Sequence, residues 1–222
     1  MNDPACTAAL LEAFRRERNG LAADTMHYDG ARYGVNYGVS LPTVRAVARR
    51  LPPDHDAACR LLLRREREMQ LTAFHLADPA RLTDAAEAER WRQSLCNTEL
   101  AEEAAFALLC RVPTFSDLLA DWLAGDEPLA AYAAMRAAVR HASPQQRWLD
   151  PMLATLQRTT ADPSHPAWVS RCMADALTAF AARLAGQDSA SRAAVAAWVL
   201  RLGPTPPERH IADELAWRLE TV

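Results

Sequence analysis

Apolar residues recur at i, i+3, i+4 and i+7 along nearly the whole of this 222-residue chain, and the period-two alternation of β-branched residues that marks strands is missing. The pattern predicts an all-α protein. Start and stop signals divide it into roughly eleven helices over 3–18, 41–51, 55–64, 66–77, 84–95, 99–111, 115–124, 127–141, 144–160, 165–185, 189–202 and 206–220, two of these segments being able to merge. Ser40 precedes Pro42 as a cap, Ser143 precedes Pro144 with Gln146 completing a capping box, and Thr205 pairs with Pro206 and Glu208. Further starts are expected at Asp54, Thr83, Thr114, Asp126 and Asp188, and stops at Gly125, Gly186 and Gly203.

Short loops force neighbouring helices antiparallel, and a helix–turn–helix period of about 30 to 45 residues is that of helical repeats such as HEAT or armadillo. The expected architecture is an α-solenoid of HEAT-like antiparallel helix pairs in a single helical-repeat domain, residues 1–222; a compact helical bundle is the alternative. Within it, 1–24 is read as an N-terminal helix, 25–40 as an ordered loop and 41–222 as the repeats.

Half of the residues are apolar and 24% are charged, enough at this length for a core without disulfides or structural metal. No apolar run approaches the roughly 20 residues a membrane helix needs. With an early Asp3 and no basic flank before the first apolar residues, a cytoplasmic address is expected. Cys6, Cys59, Cys96, Cys110 and Cys172 form no Cys-x-x-Cys pair and read as reduced core residues. All 25 basic residues are arginine, which a GC-rich coding sequence explains more simply than selection for bidentate phosphate contacts. The net charge of −3 is uneven: residues 40–70 carry +3, 82–127 carry −7 and 128–185 carry +3. A basic face is compatible with this distribution.

Residues 25–40 break the helical rhythm with three glycines and with Tyr28, Tyr33 and Tyr37. The plainer reading packs the tyrosines onto the first helices with their hydroxyls satisfied locally; the functional one has them stack on or hydrogen-bond to a ligand. Asp54-His55-Asp56 reads as a helix cap rather than a metal cluster, and no metal is expected. Arg140 and His141 end a helix where cations are favoured. His75 reads as a hydrogen-bonded core residue. A Gly-rich phosphate loop, His-Glu-x-x-His and Gly-x-Ser-x-Gly are all absent from the sequence, which removes the usual support for NTPase, zincin and α/β-hydrolase chemistry.

The segment Gly38-Val39-Ser40-Leu41-Pro42-Thr43-Val44-Arg45-Ala46-Val47-Ala48 resembles the Gly-Val-x-x-Pro-x-Leu-Arg-x-Ile-Ala segment of the DNA alkylation repair family. Weaker similarity continues from Glu66 and its apolar stripe to about residue 185. The resemblance implies a HEAT-like repeat fold, duplex DNA as partner, and alkylpurine DNA glycosylase activity, which hydrolyses the N-glycosidic bond with water and needs no cofactor. Such chemistry builds positive charge on the sugar, so a carboxylate and electron-rich aromatic faces stabilise its transition state.

The family's Trp-x-x-x-Asp pair falls on Thr98 and Glu102, which keeps the carboxylate and loses the aromatic. Its arginine falls on Arg136, and its second tryptophan on Asp175. Glu102 and Asp175 are therefore the candidate catalytic residues, as an acidic pocket for a cationic base. Trp168, two turns before Asp175, either supplies the missing aromatic or, more plainly, packs against its neighbour. Glu102 and Glu103 also read plainly as a solvated acidic face. Arg45, Arg49, Arg136, Arg140, Arg171 and Tyr37 are the candidate DNA contacts. The alternative is an inactive helical-repeat scaffold for protein partners, which the acidic central segment suggests.

Overall fold

The computed structural model describes residues 4–28 and 33–220. The ring of Tyr28, the side chain of Cys6 and residues 29–32 lie outside what it describes. Among the described residues the chain is all-α, with thirteen α-helices: α1 (Pro4–Arg16), α2 (Gly20–Tyr28), α3 (Leu41–Ala48), α4 (His55–Leu62), α5 (Arg67–Leu76), α6 (Ala85–Gln93), α7 (Thr98–Ala107), α8 (Phe115–Ala124), α9 (Pro128–Arg140), α10 (Leu149–Ala161), α11 (Ala167–Ala185), α12 (Ser189–Val199) and α13 (Pro206–Glu220). None is long and apolar enough to cross a membrane. The chain forms two compact units, Met1–Leu108 and Leu109–Val222.

In the first unit α5 packs against α3, α4 and α7. Its core is built from Phe14, Val44, Met69, Leu71, Phe74, Trp91 and Leu100, all buried at the helical spacing that their elements predict. In the second, α11 lies against α9 and α13, while α8, α10 and α12 pack on that layer from their own pairs. Ala130, Ala131, Ala133, Ala134, Ala137 and Ala138 are buried along α9, and their small side chains let α11 approach closely. Thus the second helix of each pair, α9, α11 or α13, belongs to one layer, as an antiparallel repeat requires.

The local signals explain the ends. Ser40, Asp54 and Asp188 accept from the backbone N–H three residues on, and Glu208, nearly fully buried, accepts from Gly203 N at 3.0 Å and from the Thr205 hydroxyl. Gly38 sits at φ +68°, and a Cβ there would stand 2.0 Å from the Asn19 carbonyl oxygen, so the turn into α3 requires glycine.

Four expectations change. Thirteen α-helices replace roughly eleven, and α2 occupies 25–28, where a loop was expected; its Leu21 is exposed, so no strong apolar stripe announces it. Ser143 does not cap: its N–H donates to His141 Nδ1 at 3.2 Å, and a 3-10 turn over Gln146–Trp148 precedes α10. The buried Trp148 ring anchors that turn against Phe115, His141 and Phe180. Asp84 and Glu127, not Thr83 and Asp126, hold the N-cap positions of α6 and α9, Glu127 without a side-chain bond, whereas Thr114 stands at the N-cap of α8 as expected, also without one. Among the described residues the cysteines are not fully buried: Cys59, Cys110 and Cys172 are half-buried and Cys96 is exposed.

Candidate functional site

The Tyr/Gly segment is held to the first unit by charge as well as by packing. Val35 N donates to the Arg65 carbonyl at 2.8 Å and its own carbonyl accepts from Arg67 N at 2.9 Å. Tyr37 and Val39 donate backbone N–H groups to the Glu68 carboxylate at 3.3 and 3.2 Å. Arg67, fully buried, donates to Glu68, to the Val39 carbonyl at 2.8 Å and through two nitrogens to Glu99. The Tyr33 hydroxyl donates to Glu99 at 2.6 Å; burial first, then the Glu99 charge, raises its pKa. Tyr33 is thus engaged within its unit, by Glu99 of α7 rather than by the first helices, and Tyr37 is half-buried with its backbone bonded. Nothing in the sequence marked Arg67, Glu68 and Glu99 as partners.

Of the adjacent acids on α7, Glu102 is exposed, while Glu103 is buried and faces inward. The solvated-face reading thus fails for Glu103. It accepts from Arg45 Nε at 3.0 Å and Nη2 at 2.6 Å and from His75 Nε2, and Arg45 lies 4.0 Å over the Phe106 ring. Arg45 of the Gly38–Ala48 segment is thus engaged within its own unit, and His75 is hydrogen-bonded as expected. Exposed Arg49 donates Nε to the Arg45 carbonyl at 3.1 Å. Thr98 opens α7 four residues before Glu102.

Burial opposes the charge on Glu103, but the hydrogen bonds from His75 and Arg45 outweigh it and hold the carboxyl below the usual glutamate range. A lowered folded pKa means stability that is present above the unfolded value of about 4.3 and lost as the pH falls through the folded one. Glu103→Gln is therefore expected to lower the urea midpoint at pH 7, with the gap to the parent protein narrowing below about pH 4. A gap that stays constant with pH would remove the charge argument.

His55 and Cys59 on α4 and Glu87 on α6 place potential ligand atoms within 4.8 Å of one another. The set is already internally satisfied. Asp78 donates its N–H to His55 Nδ1 at 3.2 Å, which leaves the ring proton on Nε2, directed at Glu87 Oε1 3.1 Å away. Glu87 also accepts from Trp91 Nε1 at 2.8 Å and Arg90 Nη1 at 2.7 Å, and burial, then Glu87, pushes the Cys59 thiol up. A protonated Nε2, a protonated thiol and a guanidinium disfavour a cation there. Asp54 caps α4 through Ala57 N at 2.9 Å, as its sequence position implies.

In the second unit, Arg136 is half-buried and Arg140 exposed, one turn apart on α9. On the neighbouring α11, Trp168, Arg171 and Asp175 follow at helical spacing on the exposed side. Trp168 is 45% exposed, so its neighbours cover only part of the indole. Among the described residues Arg136 and Arg171 make no ion pair, whereas Asp175 Oδ1 lies 2.8 Å from His210 Nε2 on α13. Arg158 and Arg183 are occupied by the Leu123 and Val139 carbonyls. A groove of about 720 Å³ opens between α10, α11 and α13, with Arg171, Asp175 and His210 among its lining; no sequence signal foretold it. Glu102 and Asp175 belong to different units, and each is placed by its own neighbours.

The sequence matches the DNA alkylation repair enzyme family over residues 10–201. No curated protein matches it. A similar solved structure, 14% identical, aligns over 96% of this chain and 95% of that one with a TM-score of 0.70; it was described as a new family of proteins related to the HEAT-like repeat DNA glycosylases with affinity for branched DNA structures.

Proposed function

Because the chain belongs to the DNA alkylation repair enzyme family, we propose that it binds DNA, duplex or branched, through the arginines on the second helices of its repeats. The observation that carries this reading is the pair Arg136 and Arg171. These guanidiniums lie on adjacent helices α9 and α11 and have no acidic partner among the described residues, in a segment of net charge +3. Arginines without acidic partners on neighbouring helices match a phosphate backbone, which they position without reading sequence. Arg140 lies one turn further along α9, and Arg49, at the end of α3, is an exposed arginine of the other unit. Arg45 contributes less, since Glu103 holds its Nε and Nη2. A concave, arginine-bearing face along the repeats and a cytoplasmic address go with this reading.

The likeness to a protein with affinity for branched DNA supports testing junctions beside duplexes. Fluorescence anisotropy with both probes, between about 50 and 200 mM salt, is expected to give affinity that falls steeply with salt. Arg136→Ala should lower the slope of log K against log salt by about 1, and Arg171→Ala similarly. A flat salt response would leave the protein-binding scaffold as the better reading, to be pursued through the acidic 82–127 segment.

The carboxylate of Glu102, exposed on α7, favours a second element of the same reading. A carboxylate at this place stabilises positive charge developing on a sugar, as release of an N3- or N7-alkylated purine requires. Asp175, held by His210, and the exposed Trp168 offer a carboxylate and an aromatic face on α11 for the same purpose.

A further inference from the structure

The groove between α10, α11 and α13 has three features that packing alone does not account for. Thr159 and Ser170 are more than nine-tenths buried, line the groove, and make no hydrogen bond through their hydroxyls among the described residues. His165 Nδ1 is sealed from solvent without a hydrogen bond, its nearest acid, Asp162 Oδ2, being 3.7 Å away. Unlike His165 Nδ1, the two hydroxyls are not sealed from solvent, so they are open to the groove as donors and acceptors for a molecule that enters it. The start of α13 is fixed beside them: buried Glu208 binds Gly203 N and Gln157 Nε2, which sets Pro206 and Pro207 as a flat apolar wall.

The charges select the occupant. Asp162, whose Oδ1 accepts from Ser164 N at 2.8 Å, and Asp175 are acceptors; Arg171 is a donor; His165 and His210 complete the titratable lining. Two carboxylates against one guanidinium disfavour a bare phosphate. A flat apolar body whose edge carries both donors and acceptors satisfies the prolines, the two hydroxyls, the carboxylates and Arg171 together, and at about 720 Å³ the groove has room for it. Such a body is a nucleobase on its sugar.

We propose that this groove receives a single unstacked nucleoside, either free or as an unpaired position of a DNA strand. The inference deepens the DNA-binding reading and rests on it only for the second source. An unpaired nucleotide is what a branch or gap offers and an intact duplex does not, so occupancy of the groove confers preference for interrupted DNA. Trp168, one turn before Arg171 on the exposed side of α11, is placed to stack on a neighbouring base.

Two probes separate the sources: 2-aminopurine deoxyriboside in free solution, titrated by calorimetry, and the same base at one unpaired position of a gapped duplex, followed by its fluorescence. Two variants test the groove, Ala167→Trp, which fills it from an exposed rim position, and Ser170→Ala, which removes one lining hydroxyl without bulk. Binding of either probe is expected to weaken about tenfold in Ala167→Trp and several-fold in Ser170→Ala, while affinity for the fully paired duplex is unchanged. Loss with the gapped probe assigns the strand as source, and loss with the free nucleoside alone assigns a small-molecule site. If no DNA binds at all, the DNA reading fails and the free nucleoside still decides the groove. Equal binding of both probes by the parent and both variants overturns the proposal, and should Ala167→Trp melt early, Ser170→Ala decides alone.

Discussion

Replacing Arg67 by methionine is expected to cost about 3–5 kcal/mol of folding stability, the range measured when one partner of a buried charge pair is removed. Methionine fills much of the volume of the arginine stem, so the loss is electrostatic rather than a cavity effect. The guanidinium is fully buried among Glu68, Glu99 and the Val39 carbonyl. Burial works against its charge, and the Glu99 hydrogen bonds and the Glu99 and Glu68 charges outweigh that and raise its pKa. Without it, Glu68 remains a fully buried carboxylate supported by two backbone amides, Tyr37 N and Val39 N. Adding Glu99→Gln should recover only part of the loss, because Glu68 stays uncompensated. The urea midpoint measures the cost. Hydrogen exchange at Tyr37 and Val39 should accelerate before that of the α5 core, since Arg67 and Glu68 fasten this segment from both its carbonyl and its N–H sides. A change below about 1 kcal/mol would mean that the network relaxes into water and holds nothing.

Elements with strong local signals were legible. Residues 115–124 and 206–220 are the observed α8 and α13, because an apolar stripe, a glycine stop or a capping box coincide with the helix ends. The misses have one physical origin. Arg67 and Glu99 stand 32 positions apart, and a pairing across that distance leaves no trace in a periodicity of three or four residues. Glu102 and Glu103 look alike in sequence, yet the 100° turn between successive helical residues places one in water and the other against Arg45 and His75. Ser143 carried every mark of a cap, and the Trp148 ring, drawn into the cluster of Phe115, His141 and Phe180, moved the helix start to Leu149. Tertiary burial of one large aromatic outweighed a cap worth about 1 kcal/mol. Trp168 is a mixed case: a bulky aromatic after a proline suggests packing, and its neighbours Val169 and Ser170 take the buried side of α11 and leave the indole only partly covered. The groove was invisible because its polar lining comes from residues that are unremarkable one by one and meaningful only when α10, α11 and α13 meet.

Glu102→Gln is expected to lower the release of 7-methylguanine or 3-methyladenine from alkylated duplex DNA by about a hundredfold or more, with DNA affinity changed little. The argument turns on when the charge is needed. The alkylated base is already cationic before the bond breaks, and the sugar becomes so as it breaks. A carboxylate near the anomeric carbon therefore acts mainly in the transition state, and its neutral isostere should depress the rate far more than the binding. Arginine substitutions have the opposite signature: Arg136→Ala weakens binding and flattens the salt dependence while bound substrate still turns over. The two variants together distinguish a grip on the phosphates from chemistry at the sugar. Trp168→Ala adds the third term, because an aromatic face stabilises a cation only through its π-system, which leucine does not restore and phenylalanine does. Release by Glu102→Gln at the parental rate would remove Glu102 from the chemistry and direct the search to Asp175. An absence of release by the parent protein, with salt-dependent DNA affinity intact, would mean that the loss of the aromatic at Thr98 has left the family's grip on DNA without its bond-breaking step.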